Sequence, residues 1–187
     1  MAVLSKGVNF EAINNYVKKA KGTDGLAEYS KRLKAVGVPT NIADPKTLDP
    51  KAWYPVEHEF KFLSVMDQYL GNGDRSRCYQ FGIYSANDIG YLKLFIKWAQ
   101  VSPQTVAKRA AEDWPKAYSG STLSASVITD KEIVVKLQDF PSNEYHCENL
   151  RGLFEGIIKL SGKKATVVES QCKTKGAPYC EFTVTLD

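Results

Sequence analysis

The chain lacks any run of 18 apolar residues, so no helical membrane span is expected. Its first residues, MAVLSKGVNFEA, lack the long apolar stretch of a secretory signal, and a cytoplasmic location is the resulting expectation. No block of Lys or Arg stands out, and a net charge of +4 is too mild to imply direct nucleic-acid binding. Histidine is scarce, with only His58 and His146. Neither completes a Ser/His/Asp or Cys/His arrangement, so no nucleophile has a base at an interpretable spacing. The "GNGD" at 71–74 lacks the preceding strand and the Lys-Ser/Thr of a phosphate cradle. What is present is ordinary for a globular protein: 43% apolar and 25% charged residues in 187, read as one domain over 1–187. The four cysteines are Cys78, Cys147, Cys172 and Cys180. In a reducing compartment metal binding outranks disulfides as their role.

Residues 1–118 read as mainly helical. Phe10, Ile13, Tyr16 and Val17 share one face, Leu26, Tyr29, Leu33 and Val36 repeat the pattern, and Gly37 stops it. Residues 38–52 carry three prolines and no period, which predicts a loop. A helix starts near Pro55 and runs to Leu70 with Val56, Phe60, Leu63 and Met66 on one face. Asp74 is a plausible cap for the next helix, and 75–90, 90–100 and 103–118 remain helix-like. From Gly120 the texture changes. "STLSASVIT" and "EIVVKLQDF" flank a short "DK" turn, and Ser142 or Asn143 caps a helix to Ser161. "KATVVESQC" and "YCEFTVTLD" then flank "KTKGAP". The predicted fold class is α+β: an N-terminal helical layer on a four-stranded antiparallel sheet, with 120–187 in β-β-α-β-β order. Gly152 and Gly156 predict close packing of the last helix on the sheet.

Cys147, Glu169, Cys172 and Cys180 can converge, because a helix followed by a hairpin brings its first turns near a strand end. Three thiolates and a carboxylate would complete a tetrahedral shell suited to structural zinc. The alternative is a set of buried thiols acting as small hydrophobes. In a regular strand Glu169 and Cys172 face opposite sides. The chain must therefore bulge there, or Cys172 must lie beyond the strand's end; otherwise His146, Glu148 or water serves as the fourth ligand.

The run "HCENLRGLFEGIIKLSGKKATVVESQCKTKGAPYCEF" resembles the end of the 4-vinyl reductase domain family and of the sensory domains of phenol-responsive transcription activators. That resemblance implies structural zinc on Cys147, Glu169, Cys172 and Cys180, with Gly176 and Pro178 in the turn. "SKGVNFEAINNYVKKAKG", followed by helices and then β-β-α-β-β, is similar to the haem nitric oxide/oxygen-binding fold, shared with a Golgi-trafficking subunit family. Haem binders of that fold use a His from a central helix and a Tyr-x-Ser-x-Arg motif. Here no His lies between His58 and His146, and Tyr145-His146-Cys147-Glu148-Asn149 lacks the Ser and Arg, so the sequence disfavours haem.

The resemblance further implies a small hydrophobic or aromatic ligand between helices and sheet. Phe81, Tyr84, Phe95, Trp98, Trp114 and Tyr118 are the candidate lining residues, with core filling as the plainer role. The expectation is a non-catalytic ligand-binding or sensory module, with a homodimer as default and an unidentified output partner. A tetrapyrrole-related enzyme or accessory protein, a zinc hydrolase and an interaction adaptor are the alternatives.

Overall fold

The computed structural model describes residues 2–88 and 102–187. Strand β1 (Leu4–Lys6) leads directly into helix α1 (Gly7–Ala35). The two apolar stripes read from the sequence lie on this single helix, which bends at Gly22, where φ is +72°. A short helix α2 (Thr40–Ala43) and strand β2 (Trp53–Pro55) follow within and after the proline-rich connection. Helix α3 (Val56–Leu70) starts after Pro55, as predicted.

Helix α4 (Ser76–Asp88) is capped from two sides. Asp74 Oδ1 accepts from the Ser76 N–H at 3.0 Å, but the larger contribution comes from Asp67 on α3. Its buried carboxylate accepts from the backbone N–H groups of Arg75, Arg77 and Cys78 at 2.8, 2.8 and 3.3 Å. These are orphan donors of a helix start, and a carboxylate also complements the helix dipole there. Helix α5 (Pro103–Ala117) begins on Ser102, whose hydroxyl accepts from the Thr105 N–H. Strand β3 (Tyr118–Ser119) continues straight from it.

The carboxyl part is β4 (Thr122–Thr129), β5 (Glu132–Gln138), α6 (Glu144–Leu160), β6 (Ala165–Gln171) and β7 (Cys180–Leu186). All pairings are antiparallel and the spatial order is β4-β5-β7-β6. The α+β architecture is therefore the predicted one, β-β-α-β-β included. A second sheet, β2-β1-β3, joins the chain's start to the ends of α5 and the 38–52 connection.

Alternation along β5 and β7 turns Ile133, Val135, Leu137, Phe182 and Val184 to one face. These pack with Leu150, Phe154 and Ile158 of α6 to form one core. A second core joins α1, α3 and α4 through Phe10, Ile13, Leu33, Phe62, Leu63 and Met66. The close approach of α6 is to α4 and not to the sheet, which corrects the reading of its glycines. A Cβ on Gly152 would lie 2.0 Å from the Tyr79 carbonyl oxygen, and one on Gly156 would lie 2.8 Å from Ala86 Cβ. A Cβ on Gly82 of α4 would likewise lie 2.1 Å from the Asn149 carbonyl oxygen. Only glycine lets the two backbones meet at that distance. Among the described residues no helix is long and apolar enough to cross a membrane.

Candidate functional site

Among the described residues, two constellations hold chemistry. The first lies where α6, β6 and β7 meet. Asn143 caps α6 by accepting from the Tyr145 N–H, which places Cys147 in the helix's first turn. The β6–β7 register shifts between Glu169 and Gln171, and β6 ends before Cys172. The bulge and the strand end together remove the alternation that would have parted Glu169 from Cys172. A 3₁₀ turn at Lys173–Lys175 and Gly176, at φ +93°, bring the chain round to Cys180.

One ligand atom from each of Cys147, Glu169, Cys172 and Cys180 then lies within 4.8 Å of the others. Cys147 Sγ and Cys180 Sγ are 3.8 Å apart. Sulfurs placed about 2.3 Å from a central zinc at tetrahedral corners are about 3.8 Å apart, so this edge already has the length of a metal shell. The hydrogen bond to Cys180, with burial, holds the Cys147 thiol protonated. Cys180 is lowered to about 6, first by that bond and further by the Ser142 hydroxyl and the Lys173 N–H. Glu169 Oε1 is buried without a partner, while Oε2 stands 3.6 Å from Lys175 Nζ. His146 and Glu148, the substitutes for Glu169, point elsewhere: Glu148 pairs with Arg151 at 2.7 Å, and His146 joins the second constellation.

That second constellation borders a cavity of about 450 Å³ between α1, α3, α4, α5, the start of the sheet and α6. Phe81, Trp114 and Tyr118 line it, with Leu123, Leu153, Phe154 and Ile157. Trp114 stacks on Tyr118 at 4.3 Å between ring centroids. Tyr84 does not line the cavity; it packs against Tyr16 at 5.0 Å. Phe95 and Trp98 lie outside the described residues. The polar end is buried. Tyr118 Oη–H donates to Glu59 Oε1 at 2.8 Å, and His146 Nε2 lies 3.2 Å from the same hydroxyl. His146 is stacked on Phe140, and burial lowers its pKa to about 3, which keeps it neutral. Burial raises Glu59 to about 7 against the opposing pull of the Ser5 and Tyr118 hydroxyls.

Glu59 and Asn149 did not stand out in the sequence as cavity residues, and His146 stood out only as a substitute metal ligand. The signal for Glu59 was available: it falls three after Val56 and four before Leu63, on the apolar stripe of α3. A carboxylate at a stripe position is buried, and buried carboxylates are held for a reason.

No protein-family model matches the chain, and no curated protein matches it. The resemblance to 4-vinyl reductase domains thus has no family model behind it. Solved structures match over almost the whole length. An H-NOX protein from S. oneidensis in the Fe(II)NO ligation state has a TM-score of 0.72 at 14% identity, covering 97% of this chain and 99% of that one. An unliganded Fe(II) H-NOX protein from K. algicida has a TM-score of 0.68 at 14% identity, with 97% and 96% covered. The H-NOX domain from Shewanella oneidensis in the Fe(II)CO state, solved by NMR, has a TM-score of 0.68 at 15% identity, with 97% and 98% covered. At such identities the likeness shows the fold.

It also overturns the setting-aside of haem. The matched proteins are H-NOX proteins in iron ligation states, so a missing sequence motif is no ground for excluding that cofactor from this fold. At 14% identity the ligating residues can change type while the backbone is kept. The lining supplies one group of a kind that binds haem iron, the Tyr118 phenol. For zinc, the support among the described residues is the cluster of Cys147, Glu169, Cys172 and Cys180.

Proposed function

We propose that this chain is a non-catalytic sensor or carrier of a small apolar or aromatic molecule, haem among the candidates, taken up in the cavity beside Tyr118. The observation that carries the reading is the cavity itself, about 450 Å³ with mostly apolar walls and a buried polar end. A cavity of about 150 Å³ already takes benzene, and small-molecule sites begin at about 300 Å³. Were haem the occupant, Tyr118 would hold it, and its iron would supply a site for a diatomic gas. The protein's own part is to exclude water with Trp114, Phe154 and Leu153 and to fix the phenol through Glu59.

The reading extends to the sulfur cluster: Cys147, Glu169, Cys172 and Cys180 hold a thiophilic metal ion that ties α6 to the β6–β7 turn. The orphaned Glu169 Oε1 and the 3.8 Å sulfur edge support it. Four protein donors leave no open position, which makes such an ion structural.

The test is absorbance of the purified protein during titration with ferric and ferrous haem, with competition by aromatic probes. A saturable Soret shift, or a probe that displaces it, is the expected result. Neither haem nor any apolar probe binding would overturn the reading.

A further inference from the structure

The cavity and the sulfur cluster are joined by the connection between β5 and α6, residues 139–143. Asp139, at φ +57°, turns the chain off the sheet, and Phe140 then enters the core at 1% exposure. Its ring stacks on His146 at 4.7 Å and meets Tyr118 and Trp114 edge-on at 5.5 and 5.9 Å. Phe140 thereby backs two aromatic residues that line the cavity. Pro141 follows, with a ring that fixes its φ. Ser142 Oγ lies 3.0 Å from Cys180 Sγ, and Asn143 caps α6, whose first turn carries Cys147. Lys173 adds a second tie. Its backbone N–H donates to Cys180 Sγ at 3.4 Å, and its ammonium donates to the Phe140 carbonyl at 3.3 Å.

We propose that Ser142 and Lys173 are positioning residues that link the two sites, so that a metal ion in the sulfur cluster tightens binding in the cavity. The inference rests on both readings above and adds a linkage between them. A metal ion fixes Cys180, and a hydroxyl and an N–H that donate to its thiolate are fixed with it. With Pro141 stiff and the Phe140 carbonyl held by Lys173, the Phe140 ring has little freedom to withdraw from Tyr118 and Trp114. The wall is then ordered before an occupant arrives, which leaves a smaller ordering cost to binding. Linkage makes the effect reciprocal: the occupant tightens the metal by the same factor. Neither Ser142 nor Lys173 is among the four metal donors, so removing their side-chain contacts leaves the metal shell intact and cuts the link.

The experiment is titration of the reduced protein, zinc-loaded and zinc-free, with two probes, 2-naphthol and ferric haem. Zinc is expected to tighten a probe that binds by about 5-fold or more. In Ser142→Ala/Lys173→Met the zinc effect should fall below about 2-fold while zinc still binds, and Ser142→Thr/Lys173→Arg should restore it. Equal probe affinity with and without zinc in the wild-type protein overturns the linkage while both readings stand. A zinc effect that survives in Ser142→Ala/Lys173→Met overturns the assignment to these residues. Failure of both probes to bind overturns the cavity reading and the linkage with it, and failure of zinc to bind does the same for the metal reading. If the zinc-free protein unfolds, the cobalt-loaded wild-type protein decides: saturating 2-naphthol should shift its visible bands, and unchanged bands overturn the linkage.

Discussion

Glu59→Gln gives a test that needs no ligand. The Glu59 carboxyl is buried beside Tyr118, and burial lifts its pKa from 4.5 to about 7. At 1.36 kcal/mol per unit, ionising it in the folded protein costs on the order of 3 kcal/mol more than in the unfolded chain. Between those two values the folded state holds a proton that the unfolded state has lost. The stability this group contributes is therefore complete below the unfolded value and disappears as pH rises through about 7. Glutamine does not titrate, and it can still accept the Tyr118 hydrogen bond. The stability of the variant minus that of the wild type should therefore grow by about 3 kcal/mol from about pH 4 to about pH 8. Urea unfolding of both proteins at a series of pH values measures this. Other titrating groups, His146 among them, cancel in the difference to first order. A difference that does not change with pH would refute the assignment of Glu59 as a carboxyl whose charged form burial penalises.

Three further outcomes are expected. Zinc added to the reduced protein at about a hundred times its Kd should raise Tm by roughly 5–10 °C, and Cys180→Ser should abolish the rise; an unchanged Tm in the wild-type protein counts against the metal clamp. Gly152→Ala would drive a methyl into the Tyr79 carbonyl and should cost about 1–3 kcal/mol in urea unfolding, whereas the same change at Gly162, whose Cβ would meet nothing within 4 Å, carries only the strain of its positive φ. Asp67→Ala removes the acceptor for three backbone N–H groups at the start of α4 and should cost about 2–3 kcal/mol, with amide exchange accelerated at Arg77 and Cys78 first.

What was legible in the sequence follows the range of the forces involved. Caps and strand propensity are local, so Pro55 and the Ser142-Asn143 pair marked the starts of their helices, and β5 and β7 were legible as strands. The β2-β1-β3 sheet was not legible, because strands of two or three residues carry no period and exist only through partners far along the chain. Asp67 was hidden for a similar reason: its role as a cap depends on the turn at 71–75 folding back on α3, eight to eleven residues later.

The two candidate sites divide along the same line. Convergence of Cys147, Glu169, Cys172 and Cys180 could be argued from a helix, a hairpin and the spacing between them, and the obstacle, opposite strand faces, named the bulge that the backbone contains. The polar end of the cavity draws on α3, β3 and α6, with Ser5 of β1 nearby, and no spacing links Glu59 to Tyr118 or His146. Each residue had nevertheless left a trace. Glu59 interrupts an apolar stripe, and His146 and Asn149 stand three apart on α6, one turn along the face that meets α3 and α4. A polar residue at a stripe position either loses its hydrogen bonds or finds partners across the core. Here Glu59 and His146 found Tyr118 across the core. The exceptions to the hydrophobic pattern thus supply the polar partners of Tyr118, which the aromatic pattern had marked as a lining candidate.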